Sequence, residues 1–322
     1  MHRRTRPLLS LMAALSLVFA GSGVVGASSA MSASASSGAF SAGTEVMPIY
    51  GGDRLHATKF SRTVRTNNLL SNGGAVQVTP KVYISWWGPE WAKGFTTGGY
   101  TSVQAQTYNV GFFSNVGGSG WNNVVKQYCK NVPRGTQFCS TVSGAVYITN
   151  PAGQLGDPWN DPTSVPSSPT QNDIAAAAIR LQQHVGALDP NATYMVFTPS
   201  GKSMSGFGTQ WCAWHSWTTT NGSQLAYAYI PYMPDAGTSC GRNFVNATNG
   251  WFDGFSVVAG HEYSEAETDP FPSAGWVDRY GAENADKCAW SSSSGNISLG
   301  GQSYAVQPTW SNSIKGCAMS AA

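Results

Sequence analysis

Residues 251–270 read WFDGFSVVAGHEYSEAETDP, and the fold turns on whether this stretch is a helix. Asp253 is a candidate N-cap, and Pro270 disfavours helical geometry at Asp269, so the sequence predicts a helix from near Asp253 to near Thr268. On that helix His261 and Glu265 stand four residues apart on one face, one turn above the other. Glu262 sits beside them, rotated by about 100°. The pattern is that of the H-E-x-x-H zinc helix with glutamate in place of the second histidine. It reads as a metal site with a general base attached.

The neighbouring sequence is acidic. Asp253, Glu262, Glu265, Glu267, Asp269, Asp278, Glu283 and Asp286 make up half of the chain's 16 acidic residues, with Arg279 the one fixed positive charge among them. Such a density calls for a counterion, solvent exposure or protonated members, and a bound cation gathers several carboxylates at once. Imidazole plus carboxylate favours Zn2+; carboxylates alone would favour Ca2+, the alternative ion. A catalytic zinc takes three protein ligands and keeps a position for water. His261 and Glu265 supply two. The third is expected from Glu283 or Asp286, tethered by Cys288, from His215, tethered by Cys212, or from Asp269. Glu262 would then accept a proton from the metal's water and pass it to the leaving group. This is metal-assisted hydrolysis, most naturally of a peptide bond. It carries a structural condition: imidazole and carboxylates must converge, and they must line a solvent-filled groove.

Plainer readings stand beside these. His261 can pair with a carboxylate of its own helix, and His215, beside Trp211 and Trp214, reads equally as a packed, hydrogen-bonded histidine. His184 lies on the polar side of an Ala-rich helix, Glu267 reads as a surface acid, and Asp269 and Asp278 suit turns. Trp86, Trp87 and Trp91 suit a core better than a sugar or peptide groove. No G-x-S-x-G elbow, P-loop or dinucleotide fingerprint occurs. A pair of opposed carboxylates, as a glycosidase needs, remains available within the acidic cluster.

Working outward, residues 76–87 (VQVTPKVYISWW), 145–149 (AVYIT), 193–198 (TYMVFT) and 225–230 (LAYAYI) read as strands, with a short strand near 304–307. Residues 102–116 show a loose helical period, and 173–185 form the clearest helix, with Ile174, Ala178, Leu181 and Val185 on one face. Residues 157–170 read as a surface loop. Alternating strands and helices predict an α/β fold: a single domain with a mixed central sheet flanked by helices, built around a zincin-like active-site helix and held by disulfides.

Residues 1–30 carry Arg3, Arg4 and Arg6, then an apolar run over 8–20 and small residues, the order of a secretory signal. Residues 31–70 read as a flexible lead or propeptide, leaving 71–322 as the catalytic domain. Without the signal, 15 basic residues face 16 acidic ones, so nothing argues for a nucleic acid partner. No later apolar run is long enough for a membrane span. Charged residues are only 11% of the chain and aromatics 12%, a composition suited to a secreted protein with a packed core. Six cysteines in an exported chain predict disulfides, sequential pairing being preferred among 15 connectivities. The absence of C-x-x-C argues against a thiolate zinc site.

Residues 73–88 (GGAVQVTPKVYISWWG), TYMVFTPSGK with the later WCAWH, LAYAYIPY, the T-D-P after the helix, ENADKC over 283–288 and the closing Cys317 together resemble the phosphate-induced, exordium-like secreted proteins. The H-E-x-x-E-x-x-T-D-P pattern looks closest to a bacterial branch. That resemblance implies a zincin-like peptidase acting on a protein or peptide substrate. The alternative is a non-catalytic extracellular wall- or carbohydrate-associated binding protein with a structural calcium site.

Overall fold

The computed structural model describes residues 40–41, 43–51 and 67–322; the signal-like residues 1–30 and His56 lie outside these. Six strands form one mixed sheet: β1 (Glu45–Pro48), β2 (Lys81–Trp87), β3 (Trp159–Asp161), β4 (Ala192–Phe197), β5 (Trp211–Thr220) and β6 (Ser223–Ile230). Their order is β1-β5-β6-β4-β2-β3. β4 runs parallel to β2 and β6, and β3 parallel to β2, while β5 is antiparallel to β6 and to β1. β4 is buried at every position, as a parallel strand covered on both faces requires.

Helices cover both faces of the sheet: α1 (Ser102–Val116), α2 (Gln171–Val185) and α3 (Asp253–Thr268). α2 starts from a capping box between Thr170 and Asp173 and packs Ile174, Ala178 and Leu181 against Trp87, Tyr194 and Val196. The alternate residues of β4, Met195 and Phe197, face the other way into a cluster with Phe112 and Phe113 of α1 and Phe255 and Val258 of α3. This two-sided alternation fixes the register of the central strand. Trp86 joins the same cluster, its ring 4.7 Å from Phe197 and 4.9 Å from Trp91, so the tryptophans fill core rather than groove.

The α/β sheet, its helices and the sequential disulfides Cys129–Cys139, Cys212–Cys240 and Cys288–Cys317 are as expected. The boundaries differ in instructive ways. The strand predicted from Val76 begins only at Lys81, after Pro80, which has no N–H to give a ladder. The strand at 145–149 shrinks to Val146–Tyr147, and the predicted loop at 157–170 contains β3. β5 was not anticipated. It turns into β6 through Asn221-Gly222, both at positive φ (49° and 78°), with Thr220 opposite Ser223. Asn-Gly is the signature of such a two-residue turn. Residues 45–48, within the stretch that composition describes as a lead, form the edge of the sheet against β5. Among the described residues no helix is long and apolar enough to cross a membrane.

Candidate metal centre

α3 is buried at all 16 positions, which is unusual for a helix carrying four acids. Its course is set at both ends. Asp253 is the first helical residue rather than the N-cap; its carboxylate accepts from the backbone N–H groups of Val245 (2.9 Å) and Asn246 (2.8 Å). Gly254 lets the first turn press on the preceding segment: a Cβ there would lie 2.2 Å from the Cys240 carbonyl oxygen. At the far end the Asp269 carboxylate accepts N–H bonds from Ser273 (2.7 Å), Ala274 (3.2 Å) and Gly275 (2.7 Å), closing the turn. Asp269 is therefore a turn residue and not a spare ligand.

His261, Glu262 and Glu265 of α3 converge with His215 of β5 and with Glu283 and Asp286 of the loop before Cys288. His261 Nε2 is 3.1 Å from Glu265 Oε1 and 3.7 Å from Asp286 Oδ1. His215 Nδ1 is 3.1 Å from Glu262 Oε2 and 3.6 Å from Glu265 Oε2, and its Nε2 is 3.5 Å from Glu283 Oε2. Two triads with metal-ligand spacing result: His215, Glu265 and Glu283; and His261, Glu265 and Asp286. Cys212–Cys240 pins the strand that bears His215, and Cys288–Cys317 pins the loop that bears Glu283 and Asp286.

The hydrogen bonds define which nitrogens are bare. Gln307 Nε2 donates to the Ala285 carbonyl at 2.8 Å, which turns its Oε1 toward His261 Nδ1 at 3.2 Å. Nδ1 must then carry the proton, leaving the Nε2 lone pair aimed at carboxylate oxygens. His215 Nε2 lies 3.3 Å from the Asp269 carbonyl, which fixes it as the donor and leaves Nδ1 bare toward Glu262 and Glu265. Lone pairs facing lone pairs repel; a cation between them makes the contacts attractive. His261 Nε2, Glu262 Oε1, Glu265 Oε2, Glu283 Oε1 and Oε2, and Asp286 Oδ1 are all buried without a hydrogen-bond partner. Orphaned atoms are rare in a protein interior, and here they gather on one spot. The donor set fits a divalent cation.

Without a cation these groups oppose one another's charge. Burial, then the neighbouring carboxylates Glu262 and Glu45, hold Glu265 well above the usual range. Burial, then Asp269 and Glu265, do the same for Glu283; burial, then Glu265, for Asp286. Burial pushes Glu262 up to about 8, with His261 pulling it back. Burial lowers His215 to about 4 against the pull of Asp269.

Among the described residues no groove opens on the centre. His215, His261, Glu262, Glu265 and Glu283 have no exposed surface. A surface cavity of about 300 Å³ is lined by Asn67, Asn68, Leu70, Gln137, Arg279 and Lys315, none of them at the centre. The cover includes β1: Glu45 pairs with His215 across the strand edge, and the Met47 N–H bears on Glu262. Glu267 is likewise no surface acid. It is fully buried, accepts from Asn122 Nδ2 at 2.8 Å, and takes no part in either triad. His184 is exposed and stacks on Trp159, away from the centre. Gln307 and Glu45 were missed by the sequence reading. Nothing local marks Gln307, and Glu45 reaches the centre only by a strand pairing 170 residues long in sequence.

No family model matches the chain, and neither does any curated protein or solved structure.

Proposed function

We propose that this protein is a secreted metal-dependent hydrolase, a zinc peptidase, seen with its centre closed. The observation that carries the reading is Glu262: a buried carboxylate outside both triads, 3.1 Å from His215 Nδ1, with Oε1 unpartnered. A divalent cation held by either triad would polarise a carbonyl and acidify a water. Glu262 takes a proton from the attacking water as its oxygen adds to the carbonyl carbon. The C–N bond then breaks, and Glu262 gives that proton to the departing amine nitrogen. A buried carboxylate beside the metal's position suits a group that accepts and then releases a proton. The three disulfides and the signal-like first 30 residues support export.

Turnover requires the cover to move. β1 is four residues long, lies at the sheet edge, and occupies the side of β5 where an extended peptide would pair. Inserting a protease site after Gly51 lets β1 be cut free once the chain has folded. The cut, zinc-loaded protein should cleave members of a peptide library, and Glu262→Gln in the same background should bind zinc without cleaving. Complete burial of the ligands favours a second reading, a structural ion in an extracellular binding protein. A cut chain that holds its metal and cleaves nothing would establish that second reading.

A further inference from the structure

The two triads are not alternatives for one ion. They share Glu265 and nothing else. Its two oxygens face different histidines: Oε1 is 3.1 Å from His261 Nε2, and Oε2 is 3.6 Å from His215 Nδ1. Oε1 also accepts the Asp286 N–H at 2.9 Å, which fixes the plane of the carboxylate. A carboxylate held this way presents one oxygen to each of two positions.

The remaining ligands divide the same way. Asp286 completes the triad of His261, and Glu283 that of His215. Asp286 Oδ1 and both Glu283 oxygens are buried without a hydrogen-bond partner, so each position has its own unsatisfied donor atoms. Charge points the same way. Glu262, Glu265, Glu283 and Asp286 surround two imidazoles whose hydrogen bonds leave one bare nitrogen each. Among the described residues the fixed cation beside the set is Lys287, which pairs with Asp278 at 3.0 Å. One divalent ion balances two of these four carboxylates and leaves the other two as buried charges or buried acids, whereas a second divalent ion balances the whole set.

We propose that the centre holds a pair of divalent cations bridged by the Glu265 carboxylate, one on His261 and Asp286 and the other on His215 and Glu283. Co-catalytic pairs of this kind stand about 3.5–4 Å apart, a spacing that a single bridging carboxylate spans. The inference rests on the metal reading above and extends it from one ion to two. It does not depend on which bond is hydrolysed.

The test uses the intact chain and Mn2+ as probe. Titration should saturate at two Mn2+ per chain, and the spin-resonance spectrum at saturation should be that of an exchange-coupled pair. Asp286→Asn and Glu283→Gln should each bind one ion and show the isolated-ion hyperfine pattern. The wild-type spectrum needs no variant, so a misfolded mutant does not blunt the test. Saturation at one uncoupled ion would overturn the pair while leaving a mononuclear hydrolase standing. No uptake at all would overturn the pair and the metal reading together. A coupled pair in a protein that cleaves nothing after release of β1 would sustain the inference and sink the peptidase.

Discussion

Gln307 Oε1 lies 3.2 Å from His261 Nδ1, and the same side chain is locked from behind by its Nε2 bond to the Ala285 carbonyl. The amide therefore cannot present its nitrogen to the ring, and His261 is held with Nε2 bare toward Glu265 and Asp286. Partners of this kind, one step removed from the ligand, set the tautomer and aim the lone pair.

Replacing Gln307 with Ala should weaken divalent metal binding by roughly 10- to 100-fold, the usual cost of losing such a support. Competition against a metal-sensitive dye measures this directly. Unchanged affinity would show that His261 needs no orienting partner.

Metal uptake should also expel protons. Burial and mutual repulsion hold Glu265, Glu283 and Asp286 well above the ordinary carboxylate range when no cation is bound. These groups retain protons at a pH where an exposed carboxylate has lost them, and a cation must displace those protons to bind. Affinity should therefore climb as pH rises and fall as it drops. Calorimetry in buffers of different ionisation enthalpy should report net proton release. Binding heats independent of buffer would contradict the buried-carboxylate ligand set.

Much of this was legible before the structure. The helix over 253–268 was readable from His261, Glu265 and Pro270, because its chemistry is local and helical spacing is fixed by geometry. The disulfide-tethered Glu283, Asp286 and His215 could be named as candidates from residue type, but which histidine meets which acid depends on non-local packing. The Asn221-Gly222 turn is the local signal for β5, legible only when paired with the run that follows it. The closure of the centre was not readable at all, since it depends on residues 45–48 joining a strand far along the chain.

Glu267 offers a check on the interior that is independent of metal. Burial raises it to about 8, against bonds from Asn122 and Tyr263 that favour the charged form. The folded-state value lies above the unfolded one, so the folded protein keeps this proton where the unfolded chain has released it. The associated stability is complete below the unfolded carboxyl pKa of about 4.3 and is lost as pH rises through about 8. Glu267→Gln, which keeps an acceptor for Asn122, should remove that loss. Urea midpoints at about pH 5 and about pH 8.5 should show the variant gaining on the wild type only at the higher value. Equal pH dependence in both proteins would mean that Glu267 ionises normally.

Lys287 joins the loop of Glu283 and Asp286 to the core. Its Nζ is 3.0 Å from Asp278 Oδ2, with both side chains fully buried, and it stands 4.3 Å over the Trp310 ring. Asp278 in turn accepts the N–H groups of Tyr280 (2.8 Å) and Ala282 (3.1 Å), so the pair anchors the turn that leads into Glu283. Lys287→Met keeps most of the side-chain volume but strands the Asp278 charge, a change that costs about 3–5 kcal/mol when one partner of a buried pair is removed. The melting temperature should fall sharply. Metal affinity should fall with it, because the loop that carries two candidate ligands loses its anchor. The double variant Lys287→Met, Asp278→Asn leaves no buried charge behind and should recover most of the lost stability. If the double variant is no more stable than the single one, the loss comes from packing against Trp310 rather than from the abandoned carboxylate.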